Sequence, residues 1–204
     1  MDHGRHVLSF RIGKTRITIR FFFAAGMSLY MIVLPVQQAL AVFLAVLLHE
    51  GTHLLLLRLC GRQPQEIVVG LFGMRMSEEC FVLLDYRKEL LCVLGAPCAN
   101  LLCFLLLLPF AEKNDYILYS CAAHFSLAVF NLLPLRMLDG GRSLQCLLLR
   151  YVSLQKEKSI MLILEWITFG AVGLFVFFLF RNRAPNVSAV VFLVYLFFLF
   201  VFHK

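Results

Sequence analysis

Charge is scarce in this chain. Charged residues make up 15% of it and hydrophobic residues 61%, where ordinary globular proteins carry roughly 25% charged. The long apolar runs have no polar face to offer water, which excludes a soluble one- or two-domain protein. A bilayer is the solvent that fits them. Paired cysteines are lacking as well. The seven cysteines stand at 60, 80, 92, 98, 103, 121 and 146, with no CxxC pair among them. Cys92, Cys98, Cys103 and Cys121 lie inside apolar runs and read as small buried hydrophobes, not as a disulfide framework or a second metal site. Met1 to Arg20 has no apolar core of the signal-peptide kind, so no cleavable leader is expected. No basic stripe with interleaved aromatics exists, so the net charge of +7 does not imply nucleic acid. No repeat or soluble-domain segment interrupts the pattern, and a single domain over 1–204 is expected.

Six apolar spans are present, at 21–37, 39–57, 90–110, 116–135, 160–180 and 187–202. A helix crosses the hydrocarbon core in about 20 residues, so a membrane α-helical fold of about six transmembrane helices is expected. With the N-terminus placed inside, sixteen of the nineteen Lys and Arg fall on inner segments and three (Lys113, Arg181, Arg183) on outer ones. That asymmetry sets the orientation: a multi-pass protein with both termini cytosolic.

Two stretches follow a different period. Ser9-Phe10-Arg11-Ile12 and Thr15-Arg16-Ile17-Thr18-Ile19 flank Gly13-Lys14, which predicts a short N-terminal β-hairpin at the membrane surface. Between spans two and three, Glu66 to Met76 is β-branched early and holds two glycines. This predicts a membrane-associated strand or hairpin, which is tolerated only where protein or water satisfies its backbone.

The second span contains His49-Glu50-Gly51-Thr52-His53. Positions i and i+4 share a helix face, so both imidazoles can reach one metal. Zinc accepts nitrogen ligands in a tetrahedral site with one open position. Glu50, beside the first ligand, can take a proton from an attacking water and deliver it to a leaving amine. A solvated helix face is the ordinary alternative. It fails here, because an unpaired charge at the centre of a span costs on the order of 2.5–3.5 kcal/mol, and a metal offsets that cost. Two histidines leave catalytic zinc one ligand short. Asp139 is the candidate, after Pro134 and before Gly140-Gly141, although Asp-Gly-Gly alone is more often an ordinary turn. Both the second and fourth spans end inside, so all three residues reach one depth.

His49-Glu50-x-x-His53 together with Asn131-Leu132-Leu133-Pro134-Leu135-Arg136-Met137-Leu138-Asp139-Gly140 resembles the site-2 protease family of intramembrane zinc metalloproteases. The resemblance covers about residues 1 to 150. It implies His49, His53 and Asp139 as zinc ligands, Glu50 as general base, and cleavage of peptide bonds in or near membrane segments. The catalytic motifs would lie within 39–145. Gly95-Ala96-Pro97-Cys98-Ala99-Asn100 is similar to a third family element, with Ala96 where the family usually has glycine. Asn100 and Asn131 could support substrate backbone or an oxyanion, or simply bond between helices. The strand at Ile67 to Met76 could pair with an unwound substrate. The compact layout resembles the branch that includes stage IV sporulation protein FB. That branch implies a membrane-associated pro-sigma substrate and fits a bacterial cell membrane; an inhibitory membrane partner is a separate expectation, and no counterpart of the branch's usual C-terminal nucleotide-sensing domain is expected.

His124 reads as a hydrogen-bonded bundle histidine, with support of the site as its other role. Glu165 reads as a side chain snorkelling to the interface, with gating as the alternative. Readings from other classes are a metal-binding membrane scaffold and a transporter. Transporters usually show repeated halves, and a degenerate scaffold would be expected to have lost Glu50 or a ligand. A prenyl-protein endopeptidase would carry a Glu ligand on a helix in place of the Asp139 motif.

Overall fold

Alternation of polar and apolar residues on either side of Gly13 gives the expected hairpin. The computed structural model describes residues 6–13, 15–21, 23, 25–26, 28, 32, 34–70, 73–76 and 84–181. Strand β1 (His6–Ile12) pairs antiparallel with β2 (Thr15–Arg20). Gly13 turns between them at φ +59°, a conformation glycine adopts without penalty. Strands β3 (Glu66–Gly70) and β4 (Gly73–Met76) form the second predicted element as an antiparallel pair.

The two β-elements are one sheet, in the order β1-β2-β3-β4. The sequence pattern does not reveal this, because the joining pair is a long-range parallel one, β2 to β3. The seam continues past the strands. The Thr15 hydroxyl donates to the Pro64 carbonyl at 2.7 Å, and the Arg16 N–H donates to the Gln65 carbonyl at 2.8 Å.

The chain divides into two compact units, Met1–Val129 and Phe130–Lys204. In the first, helix α1 (Val36–Leu59) starts after Pro35, whose ring fixes φ and stops the helix from extending backward. It ends in a Schellman turn. Gly61 sits at φ +77°, its N–H bonds the Arg58 carbonyl, and the Arg62 N–H bonds the Leu57 carbonyl. Helix α2 (Tyr86–Leu107) tightens into a 3-10 segment at Leu108–Lys113. Helix α3 (Asp115–Asn131) is capped by Asn114, whose side-chain oxygen accepts from the Tyr116 N–H at 2.8 Å.

Helices α1 and α2 pack antiparallel: His49 meets Asn100, Leu56 meets Gly95 and Cys60 meets Cys92. The Leu56 side chain fills the space where a Cβ on Gly95 would stand. Ala96, which stands where the family usually has glycine, is fully buried. Leu57, Cys92 and Val93 form a buried cluster beneath Leu56, Cys60 and Leu84.

In the second unit, the 132–138 stretch leads to α4 (Asp139–Tyr151) and then α5 (Leu154–Arg181). Helix α3 stops at Asn131, four residues short of the expected span end, because Pro134 lacks an N–H and disfavours helical backbone at Leu133. The turn is held by short bonds from Leu133 N–H to Phe130 and from Leu138 N–H to Leu135. Leu135 and Leu138 anchor it against Phe130, Phe169 and Val172. The composition around Asp139 predicts irregular backbone, but a helix starts there. Gly140 and Gly141 lie inside that helix, where a Cβ on either would overlap backbone of Leu132, Leu133 or Leu135; they serve close packing and not a turn.

Among the described residues, three helical stretches are long and apolar enough to cross a membrane: Val36–Leu59, Tyr86–Lys113 and Leu154–Phe178. They correspond to the second, third and fifth expected spans. The fourth is the 17-residue α3, about 26 Å at 1.5 Å per residue against about 30 Å of hydrocarbon. The first expected span is described only in part, and the sixth lies wholly outside the described residues, so six crossings are not shown.

Candidate metal centre

Helix α1 buries every fourth residue from Ala41: Ala45, His49, His53 and Leu57 follow on one stripe. The opposite faces carry exposed Leu40, Phe43, Leu44, Leu47 and Leu55. Polar groups inside and leucines outside invert the pattern of a water-soluble helix, as a lipid solvent requires. The small alanines admit a neighbouring helix, and the two imidazoles then occupy the buried side. Their ring centroids are 5.0 Å apart and nearly perpendicular.

Each imidazole is oriented from behind through its Nδ1. For His53 the partner is the Cys92 carbonyl at 2.8 Å, and for His49 the Asn100 amide nitrogen at 3.2 Å. A carbonyl can only accept, so His53 carries its proton on Nδ1 and turns Nε2 toward any metal. A backbone carbonyl leaves no trace in the residue pattern, so sequence reasoning could not find this partner. The Cys92 sulfur also lies 3.8 Å from that of Cys60, both as free thiols. Glu50 is half-buried, one residue past His49.

Asn100 is fully buried, and both of its amide atoms are engaged: Nδ2 with His49, and Oδ1 with Nδ1 of His124 at 3.1 Å. His124 is therefore tied to a candidate ligand through one side chain. In the second unit, half-buried Asp139 occupies the first turn of α4, where a carboxylate is favoured by the helix dipole. Asn131 is half-buried at the end of α3.

Glu165 differs from its sequence reading. It is buried, not snorkelling, and accepts from the Arg136 backbone N–H at 3.2 Å, with the guanidinium Nε 3.8 Å away. The Arg136 guanidinium also donates to the Lys158 carbonyl at 2.7 Å. The stretch leading to Asp139 is thus pinned to α5.

His49, His53 and Asp139 form a group that could hold a metal ion. Two imidazoles and one carboxylate are a donor set of the catalytic zinc kind. No known family model matches the chain, and no curated protein does. Among solved structures, the Site-2 Protease from Methanocaldococcus jannaschii aligns over 94% of this chain and 92% of its own, with a TM-score of 0.64 and 19% identity. The chain has the fold of a site-2 protease. At that identity the likeness carries the fold alone, and the chemistry rests on the residues.

Proposed function

We propose that this chain is an intramembrane zinc metalloendopeptidase of the site-2 protease type. The observation that carries the proposal is the buried pair His49 and His53, one turn apart with Glu50 between them, on a helix whose other faces are leucine and phenylalanine. His49, His53 and Asp139 would hold the ion. Zinc bound there supplies Lewis acidity toward a peptide carbonyl and a water.

The chain's own residues do the rest. Glu50 takes a proton from the attacking water and returns it to the leaving nitrogen. The Cys92 carbonyl fixes the His53 ring, and the Arg136–Glu165 pair steadies the backbone before Asp139. Asn131 and Asn100 are the candidates for holding substrate backbone or a developing oxyanion, although Asn100 would have to release one imidazole to do so. An unwound substrate segment would pair with the β3–β4 element.

The same reading places the protein in a bacterial cell membrane with both termini and the active site on the cytosolic side. It makes a membrane-associated protein the substrate, with a pro-sigma factor of sporulation as the specific case to try and an inhibitory membrane protein as regulator. The test co-expresses the chain with single-span and pro-sigma substrates. Wild type and Glu50→Gln are compared for cleavage by immunoblot and for zinc content by mass spectrometry. Cleavage by wild type alone, with zinc retained in both, is the expected result. Cleavage by Glu50→Gln would sink the mechanism. Zinc in both with cleavage by neither would favour a metal-binding scaffold.

A further inference from the structure

Resting on the metal reading above, we propose that Asn100 and His124 form a hydrogen-bond relay behind His49 whose polarity reverses when His49 takes a metal. Three helices contribute one residue each: His49 on α1, Asn100 on α2 and His124 on α3. The two contacts are 3.2 Å and 3.1 Å. All three side chains are buried, and Asn100 is 0% exposed.

Counting donors and acceptors fixes the polarity. An imidazole that gives Nε2 to a metal keeps its proton on Nδ1 and must donate there. The amide atom facing His49 must then be the oxygen. An amide is directional, so its NH2 end must face His124, whose Nδ1 has to accept. His124 therefore carries its proton on Nε2 whenever His49 holds metal.

With the amide turned the other way, its NH2 donates to His49 and its oxygen accepts from His124 Nδ1–H. This puts the His49 proton on Nε2, the nitrogen a metal needs. The two arrangements have the same heavy-atom shape, because amide nitrogen and oxygen occupy nearly the same space. Full burial of Asn100 denies the amide a solvent partner, so the three groups switch together or leave a polar atom unsatisfied. His124 is thus a positioning residue for a ligand it does not touch.

The test uses the full chain in lipid nanodiscs with 15N-labelled histidine. NMR shifts of the ring nitrogens report each tautomer, and comparison with His124→Phe assigns His124 among the six histidines. The expected result is a His124 proton on Nδ1 without zinc and on Nε2 with zinc. The same tautomer in both states would overturn the relay. In parallel, zinc affinity is measured for Asn100→Leu and Asn100→Asp. The Leu variant is expected to lose about 10–100-fold, as other groups behind metal ligands do. The Asp variant should stay near wild type, since it accepts from His49 without a direction to set. Wild-type affinity in a folded Asn100→Leu protein would also overturn the proposal. A His49→Ala control separates the two levels. Undiminished zinc binding there would remove the metal reading itself, and the relay with it.

Discussion

Replacing Gly141 by alanine tests how the Asp139 segment is held. In an open helical position this change gains stability, because alanine exceeds glycine in helix propensity by about 1 kcal/mol. Gly141 is not open. A Cβ there would overlap the carbonyl of Leu135 and crowd the Arg136 N–H. Both are backbone groups, so no side chain can rotate away. The 132–138 stretch is itself anchored by Leu135 and Leu138 against Phe130 and Phe169 and by the Arg136–Glu165 contact. Overpacking costs about 1–3 kcal/mol, and two blocked backbone groups place this case at the upper end. After the propensity gain, the net loss is about 2 kcal/mol. For a chain of this size that lowers Tm by about 4–8 °C. Gly170, on α5, has open space within 4 Å of where a Cβ would stand, so Gly170→Ala should raise Tm by about 2–4 °C. Thermal melts by circular dichroism in detergent read both. Equal shifts in the two variants, or a stabilised Gly141→Ala, would refute this account of the packing.

Leu57→Ala should cost about 2–5 kcal/mol by opening a cavity against Cys92 and Val93, whereas Leu55→Ala, 57% exposed, should change a detergent melt little. Glu165→Ala removes the acceptor of the Arg136 backbone N–H and should cost about 1–3 kcal/mol, with lower zinc retention because the approach to Asp139 loosens. Chelation should lower the Tm of the wild-type protein and leave His53→Ala unmoved. Zinc at 100 times its Kd adds about 2.7 kcal/mol, and equal chelator shifts in both proteins would contradict a site at His53.

The residue pattern is most informative where physics leaves few choices. His49, Glu50 and His53 within an apolar run have to be offset by something, and the structure buries the two imidazoles with hydrogen-bonded support. The hairpin around Gly13 is legible for a similar reason, since tight turns demand particular residues. Other features are not legible. The Cys92 carbonyl behind His53 is backbone, which any residue could supply. The pairing of β2 with β3 depends on tertiary placement, because each strand alone satisfies the same local pattern. Glu165 is misread from its position because an acidic residue near a span end has two fates, and only a buried partner such as the Arg136 N–H decides between them. Helix α4 is hidden for a simpler reason. Asp139-Gly140-Gly141 has the composition of a turn, and only the backbone packed against the glycines shows why small residues stand in a helix.

The parallel seam between β2 and β3 also sets an order of events during synthesis. The N-terminal hairpin can close as soon as Arg20 has been made, but its pairing edge has no partner until Gly70 emerges. At about 5–20 residues per second, those 50 residues take roughly 2.5–10 s. Hairpins form in about 1–10 μs, so β2 waits with an open edge for a time about six orders of magnitude longer than its own folding. Whatever shields that edge in the interval, whether ribosome, insertion machinery or bilayer surface, takes part in the protein's assembly.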